Sequence, residues 1–188
     1  MMDKFQNKYR IPSARAQWWD YANTGAYFIT ICSQNREHYF GHIADNQFIA
    51  SESGKIAEKI WNEIPVRFQY IELGAFVVMP NHIHGILIIS HVSHVETRLI
   101  ASLQSGEQSG GFAGTKNPML NKNISHVIRW YKGSCTFNIR KINRYFQWQS
   151  LFYDHIIRND AEYERIVNYI NTNPENWGTD KLYKSEEL

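Results

Sequence analysis

The segment Val77–Ile89, VVMPNHIHGILII, constrains this chain more than any other stretch. It joins two apolar runs, Ile71–Met79 and His82–Ser90, around Pro80-Asn81. Proline lacks the N–H that a strand ladder needs and pre-sets a turn, so the runs read as antiparallel strands on a tight connection. Side chains alternate along a strand, which puts His82 and His84 on one face with Ile86 and Ile88. Ile83, Leu87 and Ile89 fill the other face. Two imidazoles about 7 Å apart, at a rise of roughly 3.3 Å per residue, can converge on one cation. The plainer reading is a polar pair at the wet end of a half-buried strand, satisfied by backbone or water. Against it, burying two histidines in an apolar strand without a partner is costly. His38, His42, His91 and His94 lack such framing.

The remaining elements follow from periodicity. Tyr27–Ser33 is β-branched and aromatic and reads as a strand, with a hairpin partner around Gln47–Ala50 after the turn residues Asp45-Asn46. Ile56, Ile60 and Ile64 give Ser51–Ile64 helical spacing, with Ser51 or Ser53 as cap. Ile124, Ile128, Tyr131, Cys135, Asn138 and Ile142 form one stripe on a helix over Asn123–Ile142. Asn159 and Glu162 make a capping box before Tyr163, Ile166, Val167 and Ile170. Strands with hairpin-length links between helices predict an α+β fold built on an antiparallel sheet. The organisation expected is a basic, aromatic N-terminal arm (1–20), one domain (21–178) containing a mobile loop (91–118), and a solvated tail (179–188).

Composition narrows the function classes. At 188 residues and 43% hydrophobic the chain can bury a core, which excludes wholesale disorder. No apolar run is long enough for a membrane helix, and the polar N-terminus has no apolar core of a secretory signal. Two cysteines, Cys32 and Cys135, fit a reducing compartment, so a cytoplasmic location is expected. A net charge of +2 neither demands nor forbids a nucleic-acid partner.

The motifs of zinc proteases, serine hydrolases, P-loop NTPases and dinucleotide-binding proteins are all absent. What the chain offers is tyrosine. Tyr131 lies on the helical stripe after the long loop, flanked by Arg129 and Lys132. Taken alone it is an amphipathic core residue, and the two cations are a solvated helix face. Beside a metal site, the three make a phenol nucleophile with positive charge for a phosphate backbone.

M-P-N-H-x-H-G at Met79–Gly85 resembles the HUH motif of the small single-tyrosine transposases of bacterial insertion sequences, in particular the REP-associated tyrosine transposases. Y-F-I-T-I at Tyr27–Ile31, Q-N-R at Gln34–Arg36, Y-K at Tyr131-Lys132 and the blocks between Trp148 and Trp177 stand in the same order. The resemblance spans nearly the whole chain. It implies a ferredoxin-like or RRM-like antiparallel sheet with helices packed on one face and the histidine pair on a central strand. It further implies metal-dependent nicking and joining of single-stranded, hairpin-forming DNA through a 5′-phosphotyrosine. Tyr131 is the nucleophile expected, with Tyr153 and Tyr169 as competitors. In such enzymes a polar residue one turn after the tyrosine completes the metal site; after Tyr131 that position is Cys135. A thiolate there would favour zinc, whereas packing of Cys135 would leave Asn138 or water in its place and Mg²⁺ or Mn²⁺ as the metal. Trp19, Arg36, Arg129, Lys132 and Arg140, with Lys141 and Arg144, are the candidate DNA contacts. The competing classes are a hairpin-binding DNA or RNA regulator without chemistry and a metal-dependent phosphoesterase. The relatives implied include both monomers and homodimers.

Overall fold

Residues 24–90 and 123–184 are described in a computed structural model, together with the backbone of two short paired strands, β1 (Lys4–Phe5) and β2 (Lys8–Tyr9). The rest of the expected arm, with Trp19, and the expected loop at 91–118 lie outside the described residues. The chain continues through β3 (Gly25–Cys32), β4 (Gly41–Ala44), β5 (Gln47–Ala50), α1 (Glu52–Asn62) and α2 (Ile64–Arg67). Then come β6 (Ile71–Val78), β7 (His82–Ile89), α3 (Ile124–Ile139), β8 (Tyr153–Ile157) and α4 (Asp160–Thr172).

Four strands form one antiparallel sheet in the order β6-β7-β3-β8. Met79, Pro80 and Asn81 make the tight link between β6 and β7, closed by the Met79 N–H on the His82 carbonyl at 2.8 Å. The hairpin at Asp45-Asn46 is also present, but Gln47–Ala50 pairs with Gly41–Ala44 and not with the Tyr27 strand. Both turn residues have positive φ, 50° and 60°, the geometry that matches strand twist in a two-residue hairpin. β3 instead takes the long-range partners β7 and β8, which a local reading cannot see.

Helices α1, α3 and α4 each begin where a capping residue stands. Ser51, Asn123 and Asn159 side chains accept from the N–H groups of Gly54, His126 and Glu162. Each cap satisfies one of the orphan donors of a first turn, worth about 1 kcal/mol. α3 stops at Ile139, short of the expected Ile142, whose side chain is exposed.

The two faces of the sheet differ. Tyr27, Ile29, Ile31, Ile83 and Leu87 meet α1 and α3 in the main core. Gly85 lets this layer close: a Cβ there would lie 2.3 Å from the Trp61 ring, which stacks on Phe76. Ala26, Phe28, Ala75, Val77 and Ile86 face the other way and meet Ile166, Val167 and Ile170 of α4. Helices expected on one face therefore occupy both, because α4 carries its own apolar stripe back across β6. Of the expected solvated tail at 179–188, residues 179–184 instead fold across the open end of this second face, and 185–188 lie outside the described residues. Asn81 Nδ2 donates to the Leu182 carbonyl at 2.9 Å, and Arg36 donates to that of Lys181. Among the described residues no helix is long and apolar enough to cross a membrane.

Candidate active site

His82 and His84 lie on the α4 face of β7 as the alternation requires, both buried, with ring centroids 4.5 Å apart. Each is oriented through Nδ1. Asn81 uses its amide N–H to hold backbone carbonyls, so its Oδ1 is left to accept from His82 Nδ1–H at 2.8 Å. That tautomer leaves His82 Nε2 as a bare lone pair, and it is buried without a hydrogen-bond partner among the described residues. Thr30, directly across the ladder, places Oγ1 2.8 Å from His84 Nδ1. His84 Nε2 then faces the Tyr169 hydroxyl at 3.2 Å. Outer-shell hydrogen bonds that fix ring orientation in this way are typical of metal-ligating histidines.

Burial keeps both rings neutral. Desolvation lowers the His82 pKa well below its ordinary value, helped by His84 and Arg36. Desolvation brings His84 down to about 4, opposed by the Asp180 carboxylate. Neutral imidazole is the form that binds a cation.

Asp180 follows the short 3-10 turn Trp177–Thr179, whose Trp177 ring packs beside His82. The ligand atoms of His82, His84 and Asp180 all lie within 4.8 Å of one another. Asp180 Oδ2 accepts from the Tyr169 hydroxyl at 3.2 Å and from Asn173 Nδ2 at 2.9 Å. Asn173 Oδ1 is buried and has no hydrogen-bond partner among the described residues. Two imidazoles and a carboxylate, with the buried His82 Nε2 lone pair unpartnered among the described residues, form a donor set that fits a divalent cation.

Tyr169 is 43% exposed. Burial, then the Asp180 charge and hydrogen bond, push its phenol up to about 12. It borders a cavity of about 730 Å³ lined by Phe28, Cys32, His84, Tyr153 and Arg165 among others. Cys32 stands opposite His82 across the ladder, and burial raises its pKa above the usual thiol value.

Tyr131 and Cys135 are elsewhere. Both are completely buried on the other face of the sheet, in the α1–α3 core. The Tyr131 hydroxyl donates to the Ala57 carbonyl at 3.0 Å, and its ring sits edge-on to Trp61. Burial, with Cys135 adding to it, raises its pKa well above the ordinary phenol value. The structure thus does not bring Tyr131 or Cys135 together with the histidines. The reason is handedness of placement: α3 covers the Ile83–Leu87 face, and its buried stripe points into that core. Arg129 and Arg140 are exposed on α3 and at its end, while Lys132 is spent on the Gln149 and Ser150 carbonyls. Arg36 lies beside the site and holds the Lys181 carbonyl. Tyr153 lines the cavity on the edge strand. Thr30, Asn81, Asn173 and Asp180 were not marked by the sequence reading. The legible signal was Tyr169 with Asn173 four residues on, a tyrosine and a polar residue on one helical stripe.

No family model matches the chain. It is 36% identical over 172 residues to an uncharacterised protein of Haemophilus influenzae, covering 91% of this chain and 92% of that one. Among solved structures it is similar to a REP-associated tyrosine transposase bound to a REP hairpin. The TM-score is 0.54 at 21% identity, over 89% of this chain and 77% of that one. The chain therefore belongs to the family of the Haemophilus influenzae protein, and its fold, with the histidine pair on a central strand, is that of the REP-associated tyrosine transposases.

Proposed function

We propose that this protein is a metal-dependent enzyme that nicks and rejoins single-stranded DNA, acting in the cytoplasm, with Tyr169 as its nucleophile in place of Tyr131. The observation that carries this reading is the Tyr169 hydroxyl, 3.2 Å from both His84 Nε2 and Asp180 Oδ2 at the edge of an open cavity. A nucleophile must reach a phosphate as bulky as a DNA backbone. Tyr131 could do so only if the α1–α3 core opened.

His82, His84 and Asp180 would hold the cation. Imidazole with oxygen donors suits Mn²⁺ and admits Mg²⁺, and no thiolate from Cys135 is in reach to favour zinc. When bound, the ion supplies positive charge to the phosphoryl and leaving oxygens. The chain's own residues do the rest. At neutral pH the phenol keeps its proton, so attack requires an acceptor, and Asp180 Oδ2 already takes its hydrogen bond. The Tyr169 Oη–phosphorus bond forms as the phosphorus–O3′ bond breaks, and the departing oxygen takes up a proton as a 3′-hydroxyl. The 5′-phosphotyrosine conserves the ester, so reversal rejoins DNA without ATP.

The hairpin held by the solved relative makes a hairpin-bearing single strand the substrate to try. With Mn²⁺, an oligonucleotide labelled at its 3′ end should become covalently bound to protein. The 5′-labelled fragment should be released with an extendable 3′-hydroxyl. Release of both fragments would mark a phosphoesterase, and tight binding without cleavage a hairpin-binding regulator.

A further inference from the structure

From Gln108 to Tyr153 the chain contains no Asp or Glu, although it holds 18 in all. The described part of this stretch, α3 and the loop after it, gathers Lys132, Arg140, Lys141 and Arg144. Among the described residues none of these four is paired with a carboxylate. Two exposed aromatic rings stand among them. Lys141 Nζ lies 4.4 Å from the centre of the Phe137 ring, and the Arg144 guanidinium 4.7 Å from that of Tyr145. Phe137 is 69% exposed and Tyr145 65%.

The shelf is concave and held in shape. Lys132, Phe137, Arg140 and Trp148 line a recess of about 660 Å³. Its loop wall is fixed by Lys132 on the Gln149 and Ser150 carbonyls, by Arg140 Nε on that of Phe146, and by Trp148 Nε1 on that of Lys132. Gln149 borders both this recess and the cavity beside Tyr169, so the two share a wall.

We propose that this shelf is the track on which single-stranded DNA lies as it passes to or from Tyr169. This rests on the reading of the protein as a single-strand DNA enzyme. Cations that no carboxylate neutralises among the described residues, standing beside exposed rings, match a strand that offers a phosphate and a flat base at every step. An acid-free surface leaves the phosphates unopposed.

Gly133 provides a clean test, because a side chain added there meets nothing within 4 Å and still faces the recess. In a helix interior, glutamate or glutamine is better tolerated than glycine. Binding of a fluorescein-labelled oligothymidine would be read by anisotropy without divalent metal, for wild type, Gly133→Glu, Gly133→Gln and Phe137→Ala. The track predicts about tenfold weaker binding for Gly133→Glu and Phe137→Ala and near wild-type binding for Gly133→Gln. At saturating DNA with Mn²⁺, Gly133→Glu should still form the Tyr169 adduct. Equal binding by all four proteins would overturn the track while leaving the chemistry intact. Loss of binding to anionic vesicles with oligothymidine binding unchanged would also overturn it, in favour of a lipid surface. A wild type that binds no single strand would sink the track and the proposed function together.

Discussion

Two tyrosines, each on a helix against the same sheet, meet opposite fates. Tyr131 is sealed among Trp61, Ala57 and Cys135 under α1. Tyr169 stands at the mouth of an open cavity, between His84 and Asp180. The two layers have different work. The α1–α3 face is a dry aromatic core whose burial stabilises the domain. The α4 face is apolar around Phe28, Val77 and Ile86 and ends in histidines, an amide and a carboxylate. A phenol is a packing element on one side and a reagent on the other, and helical spacing alone does not distinguish them.

Removing each ring should separate these roles. Tyr131→Ala empties a fully buried site and should destabilise by about 4 kcal/mol, read from urea midpoints. Tyr169→Ala, half exposed, should cost no more than about 1 kcal/mol. Equal losses would break the comparison.

Acid should attack the α4 face first. With chelator present, His84 titrates near 4 folded and near its ordinary 6.5 unfolded. The unfolded chain therefore binds more protons between those values, and stability falls as pH drops from about 6.5 to 4. The shift corresponds to about 3 kcal/mol at full extent. Replacing His84 with Gln should make the fall in this window shallower, with His82 carrying what remains, while Tyr131→Phe should leave it unchanged.

Smaller effects sharpen the same contrast. Gly85→Ala pushes a methyl into Trp61 on the dry face, and should cost about 2 kcal/mol without altering Mn²⁺ affinity. Asn81→Ala removes the acceptor that orients His82. It should lower Mn²⁺ affinity by about 10-fold or more in a calorimetric titration. Tyr131→Phe deletes only the hydrogen bond to Ala57, about 1 kcal/mol.

Much of the fold was legible because its signals are local. The Pro80-Asn81 link, the alternation of β7, and the caps at Ser51, Asn123 and Asn159 each follow from a few adjacent residues. The strand β8 and the partners of β3 were not, since pairing across long separations leaves no local mark. The histidine pair was readable for the same reason as β7. Its completion was not: Asp180 comes from a segment whose composition reads as tail, and Thr30 enters only through register. Choosing between Tyr131 and Tyr169 required knowing which helix covers which face. Their stripes are equally regular.

The most direct test is to locate the covalent bond. Protein incubated with hairpin-bearing single-stranded DNA and Mn²⁺ would be digested with nuclease and trypsin, and the nucleotidylated peptide sequenced by mass spectrometry. The account predicts the modification on Tyr169, within the peptide Ile166–Lys181. A modified Trp130–Lys132 peptide would place the chemistry on Tyr131 and contradict the division of labour between the two faces.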